Sequence, residues 1–68
     1  MLGFRAARKR AGMTQMEVAE RFGVDHTTVL GWERGKWLPK STRLMELAKL
    51  YGCTVDFLLT GNGGEADG

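Results

Sequence analysis

Residues 14–35, TQMEVAERFGVDHTTVLGWERG, decide the fold of this chain. Thr14 and Glu17 have the spacing of a capping box, in which each side chain accepts a hydrogen bond from a backbone N–H at the start of a helix. Gly23 predicts the end of that helix, because a residue in the left-handed conformation commonly follows a helix. Asp25 is a favourable N-cap for a second helix. Two helices of about eight to ten residues joined by a glycine-containing turn form a helix-turn-helix.

The flanking sequence predicts three more helices. One covers residues 2–11, one begins at residue 40 or 41 and ends at Gly52, and one covers residues 55–59 after the N-cap Thr54. Apolar residues at helical spacing form the expected core: Leu2, Phe4, Ala7, Ala11, Val18, Ala19, Phe22, Val29, Trp32, Leu44, Leu47, Ala48, Tyr51, Val55, Leu58 and Leu59. The predicted fold is all-α, with five short helices around one small core and the helix-turn-helix formed by helices 2 and 3.

Length and composition exclude several classes of protein. The 68 residues suffice for one domain, which we place at residues 1–60, and the glycine-rich tail over residues 61–68 is predicted to be disordered. The single Cys53 cannot form an internal disulfide, and with one histidine it cannot complete a four-ligand zinc site, so no metal or cofactor is expected. The chain does not open on a long apolar run, which argues against a membrane span and favours a cytoplasmic protein.

Charge is distributed unevenly along the chain. The formal net charge is +2, but residues 1–60 carry ten basic and six acidic side chains. This mildly basic domain favours an anionic partner. Within the first helix, Arg5 and Lys9 are interpreted as an ordinary solvated surface.

Four segments carry a resemblance to a known family. In chain order they are GMTQMEVAERFGV, TTVLGWERGKWLP, LMELAKLYG and TVDFLL. Together they resemble the helix-turn-helix domain of the Cro and lambda-repressor superfamily, often called the Xre-type family, over about residues 2–60. The resemblance implies binding to double-stranded DNA, with the third helix entering the major groove by its N-terminal residues and the second helix crossing the backbone.

The resemblance implies base contacts near the start of the third helix, by His26, Thr27, Thr28, Leu30 and Gly31. His26 and Thr27 are the first choice, because a neutral imidazole and a hydroxyl can each donate and accept a hydrogen bond. The threonine hydroxyls could instead bond to the backbone at the helix start, an alternative that weighs more for Thr28. The alternative for His26 is a first-turn surface histidine without a task, but its position in the matching motif favours contact with DNA.

Two of these positions depart from the pattern of the family. Gly31 stands where relatives often carry a long polar or basic side chain, and either a close approach to DNA or simple drift would explain a glycine in a helix interior. Leu30 stands where a small or polar residue is usual. It is either a contact to a thymine methyl group or an exposed apolar residue.

Phosphate contacts are implied for two groups of residues. Gln15 matches a backbone-clamping glutamine of the family at the N-terminus of the second helix, whose free N–H groups attract anions. Thr14 could add its hydroxyl there, although its capping role is the stronger interpretation. The second group is basic and follows the third helix: Arg34, Lys36, Lys40 and, with a looser match, Arg43.

Other residues have expected structural roles. The resemblance pairs Arg8 of the first helix with Glu33 at the end of the third; the alternative is two separate surface charges. Trp37 either braces its loop or lies exposed at a partner surface. Cys53 is expected in a small apolar slot before the fifth helix. Phe57 and Leu58 are candidates for a symmetric dimer contact, and core membership is the alternative for Phe57.

The function predicted from these observations is a sequence-specific transcriptional regulator, by resemblance a repressor that occupies an operator as a homodimer. The chain ends just after the DNA-binding domain, so no small-molecule effector is expected. The alternative is a protein-interaction module with the same fold, such as an antitoxin or an accessory subunit, because Leu30, Gly31, Trp37 and Phe57 fit a protein partner equally well. An enzyme is disfavoured, since the chain lacks a phosphate-binding glycine loop between a strand and a helix.

Overall fold

The computed structural model describes residues 2–62, which contain five α-helices around one core. The helices are α1 (Phe4–Arg10), α2 (Gln15–Phe22), α3 (His26–Arg34), α4 (Ser41–Tyr51) and α5 (Val55–Thr60). The all-α prediction and the helix-turn-helix of helices 2 and 3 are therefore confirmed. From residue 63 on, the predicted disordered tail lies outside the described residues.

The start of α2 is held by the expected capping box. The Thr14 hydroxyl oxygen accepts a hydrogen bond from the Glu17 N–H at 3.1 Å, and the Thr14 N–H donates to Glu17 Oε1 at 2.8 Å. Gly23 ends the helix with a φ of +64°, a backbone conformation that glycine adopts without steric cost. These local interactions fix the turn that places α3 against α2.

The core lies where the inward sides of the helices meet. Phe4, Val18, Val29, Leu47 and Leu58, one from each helix, are fully buried. Each side chain of this kind stabilises the fold by about 1.5–3 kcal/mol through the apolar surface that it removes from water. Around them pack the other buried side chains, Ala7, Ala19, Trp32, Ala48, Tyr51 and Phe57.

The first helix is shorter than predicted. It covers Phe4–Arg10 rather than residues 2–11, because the Gly3 N–H donates a hydrogen bond to the Leu58 carbonyl oxygen at 2.9 Å and holds the chain against α5. Ala11, expected in the core, is an exposed residue just after α1. A Cβ atom at Gly3 would lie 2.2 Å from the Phe57 carbonyl oxygen, so this junction accepts only glycine.

The proposed dimer contact through Phe57 and Leu58 is wrong. Phe57 is 7% exposed and Leu58 is fully buried, because α5 packs against α1 and α4 and both side chains enter the core. The exposed residues of α5 are Asp56 and Leu59, and Leu59 is 37% exposed.

Candidate nucleic-acid interface

The third helix has one buried side and one exposed side. Val29 and Trp32 enter the core, as their spacing predicted. The opposite side carries exposed or half-exposed residues that lie together on a helical projection, and we call it the outer face: His26, Thr27, Leu30 and Arg34. It faces solvent along its whole length.

A buried ion pair lies behind one edge of the outer face. Arg8 Nε donates to Glu33 Oε2 at 2.6 Å, and a second guanidinium nitrogen lies 3.3 Å from Glu33 Oε1. The remaining Arg8 nitrogen donates to the Met13 carbonyl oxygen at 2.9 Å. The two side chains are only 10% and 5% exposed. The pair therefore neutralises the one acidic side chain at the C-terminal end of α3.

Gln15 connects that ion pair to the start of the outer face. Its Nε2 donates to Glu33 Oε1 at 2.9 Å, and its Oε1 lies 2.7 Å from His26 Nε2. Because a carboxylate only accepts hydrogen bonds, the amide nitrogen must face Glu33 and the amide oxygen must face His26. His26 Nε2 therefore carries a proton, and its Nδ1 is the ring nitrogen left for another partner. This tautomer is inferred from the hydrogen-bond network.

The two threonines of α3 have different surroundings. Thr27 donates from both its backbone N–H and its hydroxyl to the carboxylate of the N-cap Asp25. These two hydrogen bonds, the hydroxyl bond first, lower the pKa of Asp25 below its usual value. The Thr27 hydroxyl thus bonds to the capping side chain rather than to the backbone, and its oxygen lone pairs remain able to accept. Thr28 is half-buried on the side of α3 that faces Trp37.

The outward placement expected for Gly31 is wrong. Gly31 is buried, and the indole of Trp37 lies directly over it. A Cβ atom at Gly31 would lie 2.3 Å from Trp37 Cε2, so the ring occupies the space of a side chain at this position. The indole N–H donates to the Thr28 carbonyl oxygen at 3.3 Å. Trp37 therefore braces its loop against α3 while remaining 48% exposed.

Four basic residues at and after the end of α3 were expected to contact phosphate. Arg34, Lys36 and Lys40 are exposed, as a contact to phosphate requires. Arg43 is half-buried, and its guanidinium carbon lies 5.4 Å from the centre of the Phe22 ring, which is a cation–π contact. Thr14 is exposed, and its hydroxyl accepts the capping hydrogen bond while keeping its own proton to donate.

Arg5 is a candidate that the sequence interpretation missed. It lines a polar groove beside the outer face together with Arg8, Gln15, Leu30, Glu33 and Arg34. The spacing of three residues between Arg5 and Arg8 places them on the same side of α1, and that spacing was the available signal. Trp37 was singled out in the sequence, but no spacing rule places a loop residue over a glycine of the preceding helix.

Other kinds of site receive little support within residues 2–62. In this range no three His, Cys, Asp or Glu side chains come close enough together to hold a metal ion. Also in this range, every helix is too short or too polar to cross a membrane. Cys53 packs partly against the core, and this burial raises the pKa of its thiol, which disfavours the reactive thiolate.

Comparison with known proteins gives a consistent result. A family model described as helix-turn-helix matches residues 4–58. The chain is 36% identical over 53 residues to the HTH-type transcriptional regulator ImmR of Bacillus subtilis (strain 168), a match that covers 78% of this chain and 42% of that protein. It is 33% identical over 58 residues to the repressor protein C2 of Salmonella phage P22, covering 85% of this chain and 27% of the repressor.

A third relative is closer to this chain in length. An uncharacterized HTH-type transcriptional regulator of Methanothermobacter thermautotrophicus is 38% identical over 48 residues, which is 71% of this chain and 70% of that protein. The chain thus spans less than half of the first two relatives and most of the third. No solved structure matches the chain significantly.

Proposed function

Because this chain belongs to the Cro and lambda-repressor-like (Xre-type) helix-turn-helix family, a family of transcriptional regulators rather than enzymes, we propose that it binds double-stranded DNA through the outer face of α3. The observation that carries the proposal is the arrangement of charge around that face. Exposed Arg5 and Arg34 line the groove beside it, exposed Lys36 and Lys40 lie in the loop that follows α3, and the nearby acid Glu33 is neutralised by Arg8.

The residues of the outer face are the ones that would contact the base edges. A major groove admits an α-helix, and each base pair shows a distinct set of donors, acceptors and methyl groups there. His26 offers Nδ1, which accepts a hydrogen bond when the ring is neutral. Thr27 offers a hydroxyl oxygen that accepts, because its proton is already donated to Asp25. Both residues therefore suit the amino groups of adenine or cytosine. Leu30 is half-exposed between them and Arg34, where an apolar contact fits.

Phosphate contacts hold α3 in register without reading sequence. Gln15 keeps one amide hydrogen free after its bond to Glu33, and the free N–H groups at the start of α2 favour an anion. Arg5 and Arg34 lie on the groove beside Gln15, and Lys36 and Lys40 lie in the loop after α3. Arg43 contributes less, since its guanidinium is already placed over Phe22.

We propose further that the chain acts as a repressor by occupying its operator as a homodimer in the cytoplasm. The support is the family, in which one named relative is a repressor protein. Two copies on one side of the duplex require half-sites about 34–36 Å apart, which is one turn of B-form DNA. No effector is invoked, so occupancy would follow protein concentration.

Selection of duplexes from a random pool tests this proposal. The full chain is expected to enrich a two-fold symmetric sequence, and footprinting is expected to show two protected half-sites on the same side of the duplex. Replacing both His26 and Thr27 by alanine should change the ranking of the enriched duplexes. If no duplex is enriched over random competitor, the proposed function is wrong.

Salt titration tests the phosphate contacts separately. Lys36→Ala should lower the slope of log K against log salt by about 0.9, the value expected for one lost phosphate contact. Lys49→Ala is the matched control. Lys49 is an exposed lysine of α4 that lies on a different surface, beside Arg21 and Leu50. Its removal should leave the slope unchanged, and equal slopes for the two variants would refute the phosphate role of Lys36.

A further inference from the structure

We propose that Trp37 is a specificity-determining residue: its indole supplies the side chain that Gly31 lacks and makes an apolar contact with a thymine methyl group in the major groove. This inference rests on the proposed function, because it assumes that the outer face of α3 meets DNA. It adds to the interface a residue from outside the helix-turn-helix.

The position of the ring is the first argument. Gly31 follows Thr27 by four residues, so the two lie next to each other on the same side of α3. The Cβ atom that Gly31 lacks would lie 2.3, 2.4 and 2.6 Å from Trp37 Cε2, Cζ2 and Nε1. The fused edge of the indole therefore stands where a side chain at position 31 would begin. The ring therefore lies beside the outer face, at the one neighbouring position of α3 that has no side chain of its own.

The chemistry of the exposed part is the second argument. The indole has one polar hydrogen, and the Thr28 carbonyl oxygen already accepts it. Trp37 is 48% exposed, and its side chain has no other polar atom, so the indole offers its carbon edges and ring face for contact. Such a surface cannot read a hydrogen-bonding edge. It can pack against the C5 methyl group of thymine, which is the one apolar group that a base pair offers in the major groove.

The anchoring of the loop is the third argument. Trp37 lies between Lys36 and Lys40, both exposed, and is followed closely by the buried Pro39. Phosphate contacts by the two lysines would hold the loop on the DNA backbone while the indole rests over Gly31. Glycine is unfavourable in a helix interior, and here its absence of a side chain is what admits the ring.

A thymine-to-uracil scan tests the contact directly. Each thymine of the duplex selected by the wild-type protein is replaced in turn by deoxyuridine, which lacks only the methyl group. At one position in each half-site the wild-type affinity should fall about fourfold, the factor expected for one buried methyl group. In Trp37→Ala the same replacement should have no effect. Trp37→Phe keeps an apolar ring and should keep the sensitivity.

Controls separate this contact from a purely structural role. Leu38→Ala removes a neighbouring exposed apolar side chain, and its uracil profile should equal that of the wild type. The double variant Trp37→Ala, Gly31→Gln replaces the indole by a polar side chain attached to α3 itself. It should change the preferred base at the position where Trp37→Ala loses its sensitivity to the thymine methyl group. Far-ultraviolet circular dichroism of each variant checks that the helices remain.

The possible outcomes are distinct. Loss of uracil sensitivity at one position in Trp37→Ala, with retention in Leu38→Ala, supports the inference. An unchanged profile in Trp37→Ala overturns it while leaving the proposed function intact, because the wild type still selects a sequence. If the wild type selects no duplex at all, both the proposed function and this inference are overturned.

Discussion

The two edges of the outer face of α3 are held in different ways. At one edge, which we call the Gln15 edge, His26, Gln15 and Glu33 form a chain of hydrogen bonds that ends at the buried guanidinium of Arg8. At the other, the Trp37 edge, one 3.3 Å hydrogen bond to a backbone carbonyl and packing against Gly31 hold the indole.

Because the two edges are held differently, substitutions at them should affect the stability of the fold and the recognition of DNA to different degrees. A change at the Gln15 edge disturbs a charge that the fold has removed from water, so it lowers stability together with any DNA contact. A change at the Trp37 edge alters a loop residue that leaves about half of its surface in solvent. We expect the first edge to resist substitution and the second to tolerate it. The variants below are ordered by the size of their expected effect.

Glu33→Ala should have the largest effect. It leaves the Arg8 guanidinium buried without its partner, which costs about 3–5 kcal/mol for a well-buried pair. The net stability of a domain of this size is roughly 3–5 kcal/mol after the entropy cost of folding, so the variant should be largely unfolded at 25 °C. Glu46→Ala removes an exposed glutamate of α4 and is the control. Thermal unfolding followed by circular dichroism compares them, and equal melting temperatures would show that the ion pair is unimportant.

Gln15→Ala should have an intermediate effect. Glu33 keeps its ion pair but loses the hydrogen bond from Gln15. Hydrogen bonds to charged groups contribute about 1.5–3 kcal/mol to stability. Because Gln15 is only half-buried, the free energy of unfolding should fall by about 1–2 kcal/mol. Gln15→Glu has nearly the same shape but places a second carboxylate against Glu33, and should be the less stable variant at pH 7. Urea unfolding gives the order. A Gln15→Glu protein as stable as the wild type would contradict the assigned hydrogen-bond directions.

Trp37→Ala should change stability little. Truncating a buried tryptophan costs about 3–5 kcal/mol, whereas a half-exposed one resting on a glycine should cost about 1 kcal/mol. Trp32→Ala provides the matched comparison, because Trp32 is the same residue type buried in the core on the opposite side of α3. The difference in free energy of unfolding between the two variants measures how differently the two sides of the helix are held. Equal losses would mean that the Trp37 edge is as integral to the fold as the core.

The comparison of the edges also explains what the sequence could predict. Caps and helical periodicity are local, so the bounds of α2, the inward residues of α3 and the cap of α5 followed from neighbouring residues. The burial of Phe57 was left open because it depends on α5 docking against Gly3, at the other end of the chain. Neither end of the chain carries a local signal for that contact.

In the candidate site, too, contacts between residues far apart in the chain could not be predicted from local sequence. The Arg8–Glu33 pair was expected only through the family resemblance, since nothing in the spacing of two residues so far apart in the chain joins them. The packing of Trp37 over Gly31 was not predicted, because a glycine in a helix and a tryptophan in a loop are each compatible with many arrangements. The structure adds a specific geometry: a ring placed where the helix has no side chain. Which bases the outer face reads stays a prediction.

The smallest expected effect is at Asp25, the N-cap of α3, which belongs to neither edge. The hydrogen bonds from Thr27 lower the pKa of Asp25 below its usual 3.8, so the folded state favours the carboxylate. This stabilisation is present above the unfolded pKa and is lost as the pH falls through the lower folded value. Asp25→Asn keeps a neutral N-cap and cannot titrate.

The melting temperature of the wild type should therefore exceed that of Asp25→Asn at pH 6, and the gap should close below about pH 4. Glu46→Gln is the control, since Glu46 is an exposed glutamate in the middle of α4 that caps no helix. Because Asp25 is fully exposed, its gap should be smaller than the effect of any substitution at the Gln15 edge. A gap that stayed open on acidification would mean that Thr27 does not donate to the Asp25 carboxylate. Its hydroxyl proton would then be available, and Thr27 could donate to an acceptor on a base edge.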